Sequence, residues 1–314
     1  MSNLESIAAA ETPAANPAPV GPPGGAKIDK PRSLAGDAWR DLRRNPIFWV
    51  ASALVLLFVV MAIVPQLFTP ADPASCALSR QYAPPSGRAW FGYDFQGCDL
   101  FARTIYGARA SIQVGVFAML LAGVIALVVG LSSGYFGGWV DTLLSRFTDI
   151  VLGIPLLLAA IVLGKRLAGD RAGTGIWTVV IVLGVLGWTT ASRVMRSSVI
   201  SAKNQDYVAA ARMLGAGHGR IMFRHILPNA LAPFVVVMTI ALGGFIAVEA
   251  TLSFLGIGLK APAISWGIDI SSSTVRVREN RAPLIAPSAF LAMTVLAFIM
   301  LGDAIRDAFD PKLR

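Results

Sequence analysis

The sequence predicts an all-α, polytopic membrane protein with six transmembrane helices, and three observations carry that prediction. Hydrophobic residues make up 55% of the 314 and charged residues only 14%, where an ordinary soluble domain is roughly one-quarter charged. Mean hydropathy is +0.65. Six stretches free of Asp, Glu, Lys and Arg each approach the ~20 apolar residues that a helix needs to cross hydrocarbon. Two cysteines exclude a disulfide-rich secreted scaffold, and the apolar content excludes a wholly disordered chain. A net charge of +9 points here to membrane topology and anionic headgroups rather than to nucleic acid.

Taken in order, residues 1–31 form a Pro/Gly/Ala-rich tail, expected to be disordered and cytoplasmic, and the first 45 residues hold no apolar run long enough for a signal peptide. Residues 32–65 hold the first span, an apolar block over 47–64 closed by Pro65, and 66–108 form an external loop. A core over 109–304 carries the other five. The second lies between Arg109 and Asp141 and ends near the Gly134-Tyr135-Phe136-Gly137-Gly138 turn. The third lies between Asp149 and Lys165, lengthened by Phe147 and Thr148. The fourth falls between Arg171 and Arg193, the fifth between Arg224 and Glu249, and the sixth between Arg281 and Asp303. Residues 305–314 form a second tail. Basic residues are densest before the first span (Arg40, Arg43, Arg44) and between the fourth and fifth (Arg193, Arg196, Lys203, Arg212, Arg220, Arg224). That asymmetry places both termini in the cytoplasm.

The segment over 198–229 is too structured for a simple loop. Asp206-Tyr207-Val208-Ala209-Ala210-Ala211-Arg212-Met213-Leu214 is helix-forming with an acidic residue at its front end. Tyr207, Ala210, Ala211 and Leu214 recur at the spacing of one helical face, and Gly215 and Gly217 stop the helix. A second amphipathic stretch, from Arg220 to Leu227, is expected to close at Pro228-Asn229 before the fifth span. A stub with small side chains can seat in a partner's cleft, or it can lie on lipid headgroups. The residues by themselves leave both open.

Glu249 is the one acidic residue deep in an apolar run, roughly 27 Å from Leu231 at 1.5 Å per residue. It reads either as a gate or pathway carboxylate or as a helix-pairing one. Cys76 and Cys98 share the segment expected on the oxidising side, as a disulfide or as two free thiols. His218 and His225 have no Cys, His or carboxylate cluster around them, so no metal site is expected. Gly243, Gly244 and the stretch 184–187 suit close helix packing. A secondary transporter or channel would need embedded charges or a selectivity filter, and apart from Glu249 the spans carry none. A membrane enzyme would need a clustered His, carboxylate or Ser/His arrangement that two loop histidines do not supply, and no catalytic residue is assigned.

The run from Asp206 to Gly215, followed by His225-Ile226-Leu227-Pro228-Asn229, resembles the cytoplasmic EAA loop of ABC-importer permeases. Ala210, Ala211, Gly215, Leu227 and Pro228 match the family form, while Ala209 stands where that form has Glu. Further motifs are similar to C-type membrane subunits of the oligopeptide/dipeptide (peptide/nickel) branch. They include Trp90-Phe91-Gly92-Tyr93-Asp94-Phe95-Gln96-Gly97-Cys98-Asp99, where Cys98 replaces an Arg, and the run from Ser133 to Asp141. Glu249-Ala250-Thr251-Leu252-Ser253-Phe254-Leu255-Gly256 and the run from Gly302 to Pro311 extend the likeness to about residues 32–314.

The resemblance implies a MetI-like permease core in a bacterial-type inner membrane, forming half of a pathway for di- or oligopeptides, with nickel or another small or bulkier ligand as the alternative cargo. The implied partners are a second homologous permease, two ATP-binding domains and an extracytoplasmic substrate-binding protein. Asp206, Tyr207, Ala209, Ala210, Ala211, Arg212, Leu214, Gly215, His225, Leu227 and Pro228 become the ATPase-coupling residues. No phosphate loop is present, since Gly164-Lys165 is followed by Arg166 and lacks the upstream Gly. The chain is therefore expected to be no enzyme and to hold no cofactor, with ATP bound by the partner.

Overall fold

The computed structural model describes residues 34–168 and 175–309. The tail over 1–31, Arg171 and residues 310–314 lie outside them. Among the described residues the chain is helical, with one isolated β-bridge, Tyr93 to Asp99. Four helices are long and apolar enough to cross a membrane, and two bent pairs bring the number to six if each pair is one span.

Helix α1, Leu34–Arg44, leads into α2, Pro46–Ile63, whose start is set by Asn45 accepting from the Ile47 N–H and by a proline in the first turn. The second long helix, α3, spans Leu100–Phe136. It begins nine residues before Arg109, where the charge-free run places it, because neither Arg109, which donates to the Ala62 and Ile63 carbonyls at 3.0 Å, nor Arg103 ends the helix. The Arg103 guanidinium pairs with Asp269, with Asp94 3.9 Å away, and the Asp99 carboxylate caps the helix by accepting from the Phe101 and Ala102 N–H groups. At 37 residues and 1.5 Å per residue, α3 is about 55 Å long, well beyond the ~30 Å of hydrocarbon.

The third span is not straight. Helices α4, Gly138–Gly153, and α5, Leu156–Ala168, meet at 87°. Pro155 lies in the break, and Ile154 before it is extended at φ −85°, ψ 123°, the conformation a following proline imposes. The fourth is bent by 44° between α6, Ile176–Leu186, and α7, Thr189–Lys203. Helix α8 covers Asp206–Met213. The stretch expected to close at Pro228 instead runs on as one helix, α9, His218–Phe254. A π-helical segment, Ile221–Ile226, precedes the proline. The wider turn relieves the ring of the clash it meets in a regular helix, where its missing N–H also breaks the ladder. Helices α10, Trp266–Thr274, and α11, Ala282–Phe309, complete the chain.

Helix α3 is central, packed on α2, α6, α7 and α9. Its contact with α7 is the most extensive, and there glycine meets backbone. A Cβ on Gly130 would lie 2.6 Å from the Ser192 carbonyl oxygen, and one on Gly134 2.8 Å from that of Arg196. Gly184 and Gly187 meet Leu121 and Phe245 equally closely, whereas Gly244 has no neighbour within 4 Å. The packing that the adjacent pair Gly243-Gly244 predicts therefore involves Gly243 alone, against α11.

At the end away from α8, residues 64–99 and the turns around α10 form a polar layer. Cys76 and Cys98 are joined by a disulfide 22 residues apart in sequence. Asp94 accepts from the Gln96 and Cys98 N–H groups, both at 2.8 Å, and Tyr82 Oη donates to Glu279 at 2.9 Å. Replacing Cys76 by Ser is expected to remove about 3 kcal/mol in the chain-entropy description. Thermal unfolding of the purified protein reads this as a lowered midpoint, and reductant should lower the wild-type midpoint equally.

Candidate functional site

Helix α8 projects from the base of the bundle between α7 and α9. Gln205 precedes it in extended conformation, and Asp206 in its first turn complements the helix dipole. Its far end closes as a Schellman motif. The Gly215 N–H donates to the Arg212 carbonyl at 2.9 Å, and the Ala216 N–H to that of Ala211 at 3.0 Å, with Gly215 at φ +78°. Only glycine takes that conformation without strain.

Two sides of α8 differ sharply. Val208 and Ala211 are buried against the bundle. Asp206, Tyr207, Ala209, Ala210, Arg212, Met213, Leu214 and Gly215 are exposed, Met213 and Leu214 at 84% and 88%. The face expected to hold Tyr207, Ala210, Ala211 and Leu214 is therefore split. Ala211 turns inward beside Val208, because helical periodicity groups residues but does not say which group meets the core. Met213 takes its place on the outer surface. Two large apolar side chains at the tip of a polar projection suit a protein surface that covers them.

The base is built from three elements. His225 is half-buried and its carbonyl accepts from Asn229 Nδ2 at 2.8 Å. Leu227 is half-buried, Pro228 exposed, and Ile221 and Ile226 of the π-helical segment are buried beneath α8. Lys203, the last residue of α7, donates to the Tyr135 carbonyl at the end of α3. His218 Nδ1 lies 2.8 Å from Tyr135 Oη. Nearby, Asp141 of α4 takes a two-pronged grip from Arg196 of α7, Nε–Oδ1 and Nη2–Oδ2 both at 2.6 Å, and Arg193 reaches Asp149 at 2.5 Å. The sequence does not mark Tyr135 or Lys203 as part of this site. Tyr135 sits inside a noted turn motif, and a Lys at the end of a helix is a recognisable partner for unpaired carbonyls, but their meeting is tertiary.

Glu249, Cys76 and Cys98 are not part of this assembly. Glu249 is wholly buried inside the subunit. It accepts from Ser253 Oγ at 2.8 Å, and that oxygen accepts from the Leu259 N–H at 3.0 Å, so the carboxyl ties α9 to the turn that follows it. Among the described residues no group of three or more His, Cys, Asp or Glu is placed to hold a metal ion.

Residues 126–314 match the family model described as binding-protein-dependent transport system inner membrane component, and residues 33–85 match the N-terminal TM domain of oligopeptide transport permease C. The dipeptide transport system permease protein DppC of Bacillus subtilis (strain 168) is 37% identical over 283 residues, covering 90% of this chain and 87% of that protein. The oligopeptide transport system permease protein OppC of the same organism is 38% identical over 285 residues, 91% of this chain and 92% of its own length. Among solved structures, one of inward-facing conformations of the MetNI methionine ABC transporter superposes with a TM-score of 0.54 at 19% identity, over 66% of this chain and 96% of that one, a likeness of fold. This helical, multi-pass chain thus belongs to the family of binding-protein-dependent transport system inner membrane components.

Proposed function

We propose that this chain is the permease half-pathway of an ATP-driven importer of di- or oligopeptides, and that α8 is its mechanical contact with a separate ATPase. The observation that carries the reading is the exposed, Schellman-capped α8 with Met213 and Leu214 uncovered at its tip. Relatives of nearly full-length match are named for dipeptide and oligopeptide transport, which supports the cargo class. On this reading the chain hydrolyses nothing and holds no cofactor. A second, related permease completes the pathway, two ATP-binding domains seat the two stubs, and an external binding protein delivers cargo.

Tyr207, Ala209, Ala210, Arg212, Leu214 and Gly215 then meet the ATPase, with Asp206 starting the helix. Ala211 packs α8 to its own subunit, and His225, Leu227 and Pro228 shape the base. Glu249, enclosed within one subunit and tied through Ser253 to the turn after α9, serves a structural role rather than that of a gate. Both termini are cytoplasmic, since α1 packs through Leu42 on Ala304 and Ala308 of α11 at the end of the bundle that carries α8. The polar layer with the disulfide faces outside.

The test is reconstitution. The chain, co-expressed with the companion permease and ATP-binding subunits and purified, is placed in liposomes with the binding protein and a radiolabelled dipeptide. ATP-dependent uptake that stops when the ATPase is omitted is the expected result. Uptake driven by an ion gradient without the ATPase contradicts the reading.

A further inference from the structure

Both ends of the stub are fastened to one residue, His218 to its hydroxyl and Lys203 to its carbonyl. The segment over 204–217, with α8 inside it, hangs between Lys203 at the end of α7 and His218 at the start of α9. Lys203 Nζ donates to the Tyr135 carbonyl and stands 5.6 Å from the centre of the Tyr135 ring. His218 Nδ1 is 2.8 Å from Tyr135 Oη, and the two rings meet edge to face at 5.9 Å. Tyr135 is only 4% exposed, although it sits in the last turn of α3, where helix carbonyls lack partners and the dipole favours a cation. The Lys203 ammonium meets both needs.

We propose that Tyr135 is the positioning residue that turns displacement of the stub into displacement of α3. The proposal rests on reading α8 as the ATPase contact. With both flanks pinned to Tyr135, the stub cannot swing at its base without breaking a hydrogen bond or carrying the end of α3 along. Helix α3 is suited to carry the movement onward. It is unbroken over 37 residues, and Gly130 and Gly134 seat it against α7 near the pinned end. Its other end is held by the Arg103–Asp269 pair in the outer polar layer. The competing route is direct packing of Val208 and Ala211 on the bundle, which requires neither the Tyr135 hydroxyl nor His218.

The experiment uses the reconstituted complex and reads ATP hydrolysed per radiolabelled dipeptide moved. Tyr135→Phe keeps the ring and its packing and deletes only the hydroxyl. It is expected to leave complex assembly and basal hydrolysis unchanged while raising the ATP-to-dipeptide ratio roughly fivefold, the lower end of a typical coupling free energy. His218→Ala should raise it equally, and the double variant should add nothing beyond either single one. An unchanged ratio, a fall of hydrolysis and uptake by the same factor, or additive effects in the double variant overturns the proposal. Should Tyr135→Phe fail to assemble, His218→Ala, which leaves the tyrosine in place, decides by the same readout. If the wild-type complex shows no ATP-driven uptake, the reading of α8 itself has failed, an outcome distinct from a wild type that couples and a variant that couples just as well.

Discussion

Gly215→Glu leaves the protein inserted in the membrane but severs ATP hydrolysis from uptake, the largest functional effect expected of any single substitution in α8. Gly215 is at φ +78° with nothing within 4 Å of an added Cβ, so the change meets no neighbour within the subunit. It does force a non-glycine residue into the left-handed region, at about 1 kcal/mol. That strain is confined to the cap of a short exposed helix and does not unfold a bundle of this size. What remains is a carboxylate on a long side chain at the tip of the stub, beside Leu214, which is 88% exposed and expected to be covered by the ATPase. Driving an unpaired charge into that contact costs several kcal/mol if it stays ionised and buried. Gly215→Asn separates the two effects, since Asn tolerates the left-handed region and carries no charge. Near-normal uptake by the Asn variant, with near-zero uptake and undiminished insertion for the Glu variant, is the predicted pattern, measured as dipeptide uptake against the membrane-embedded protein level. Normal uptake by Gly215→Glu would refute the coupling role.

Gly130→Leu should instead abolish the folded protein. An added Cβ would stand 2.6 Å from the Ser192 carbonyl oxygen and 2.7 Å from Met195 Cβ. The first contact is backbone, so a rotamer change does not relieve it. Relief requires pushing α3 from α7 along their closest approach, which loses packing over the whole pair. Overpacking of a core costs about 1–3 kcal/mol where side chains can adjust, and more is expected where they cannot. Helix association in a membrane depends on small residues that let backbones meet, so the loss reaches assembly. The measurement is the yield of monodisperse protein after mild detergent extraction, and Gly244→Leu, at a site with nothing within 4 Å, is the control expected to survive.

How much of this was legible depends on whether the relevant physics was local. The spans could be read because a charge-free apolar run is a local property, and α2 begins within a residue of its apolar block. The start of α3 could not be placed the same way. Arg109 reads as a stop until the Ala62 and Ile63 carbonyls, 47 and 46 residues back, are known to hold its guanidinium, and Arg103 is held in turn by Asp269, 166 residues on. Pro155 and Gly187 were visible, but counting apolar residues does not report an 87° or a 44° bend. The stub was legible from Asp206, the alanines and Gly215. Its orientation was not, because only the tertiary fold decides that Ala211 faces the bundle and Met213 does not. Gly130 and Gly134, four residues apart, are a small-xxx-small pair that the sequence displays openly, but nothing local ranks it above the adjacent Gly243-Gly244. The convergence of Lys203 and His218 on Tyr135 joins residues 68 and 83 positions apart, and no local pattern announces it.

The central claim is that α8 meets a nucleotide-hydrolysing subunit, and site-directed cross-linking in native membranes tests it most directly. Met213→Cys places a thiol on a side chain that is 84% exposed at the tip of the stub. Paired with cysteines scanned across the surface of the co-expressed ATPase, it is predicted to give a cross-linked product whose yield changes on nucleotide addition. Val124→Cys, exposed midway along α3, should give none with that subunit. The contradictory result is a Met213→Cys thiol that never cross-links to the ATPase and is labelled instead by a lipid-soluble maleimide.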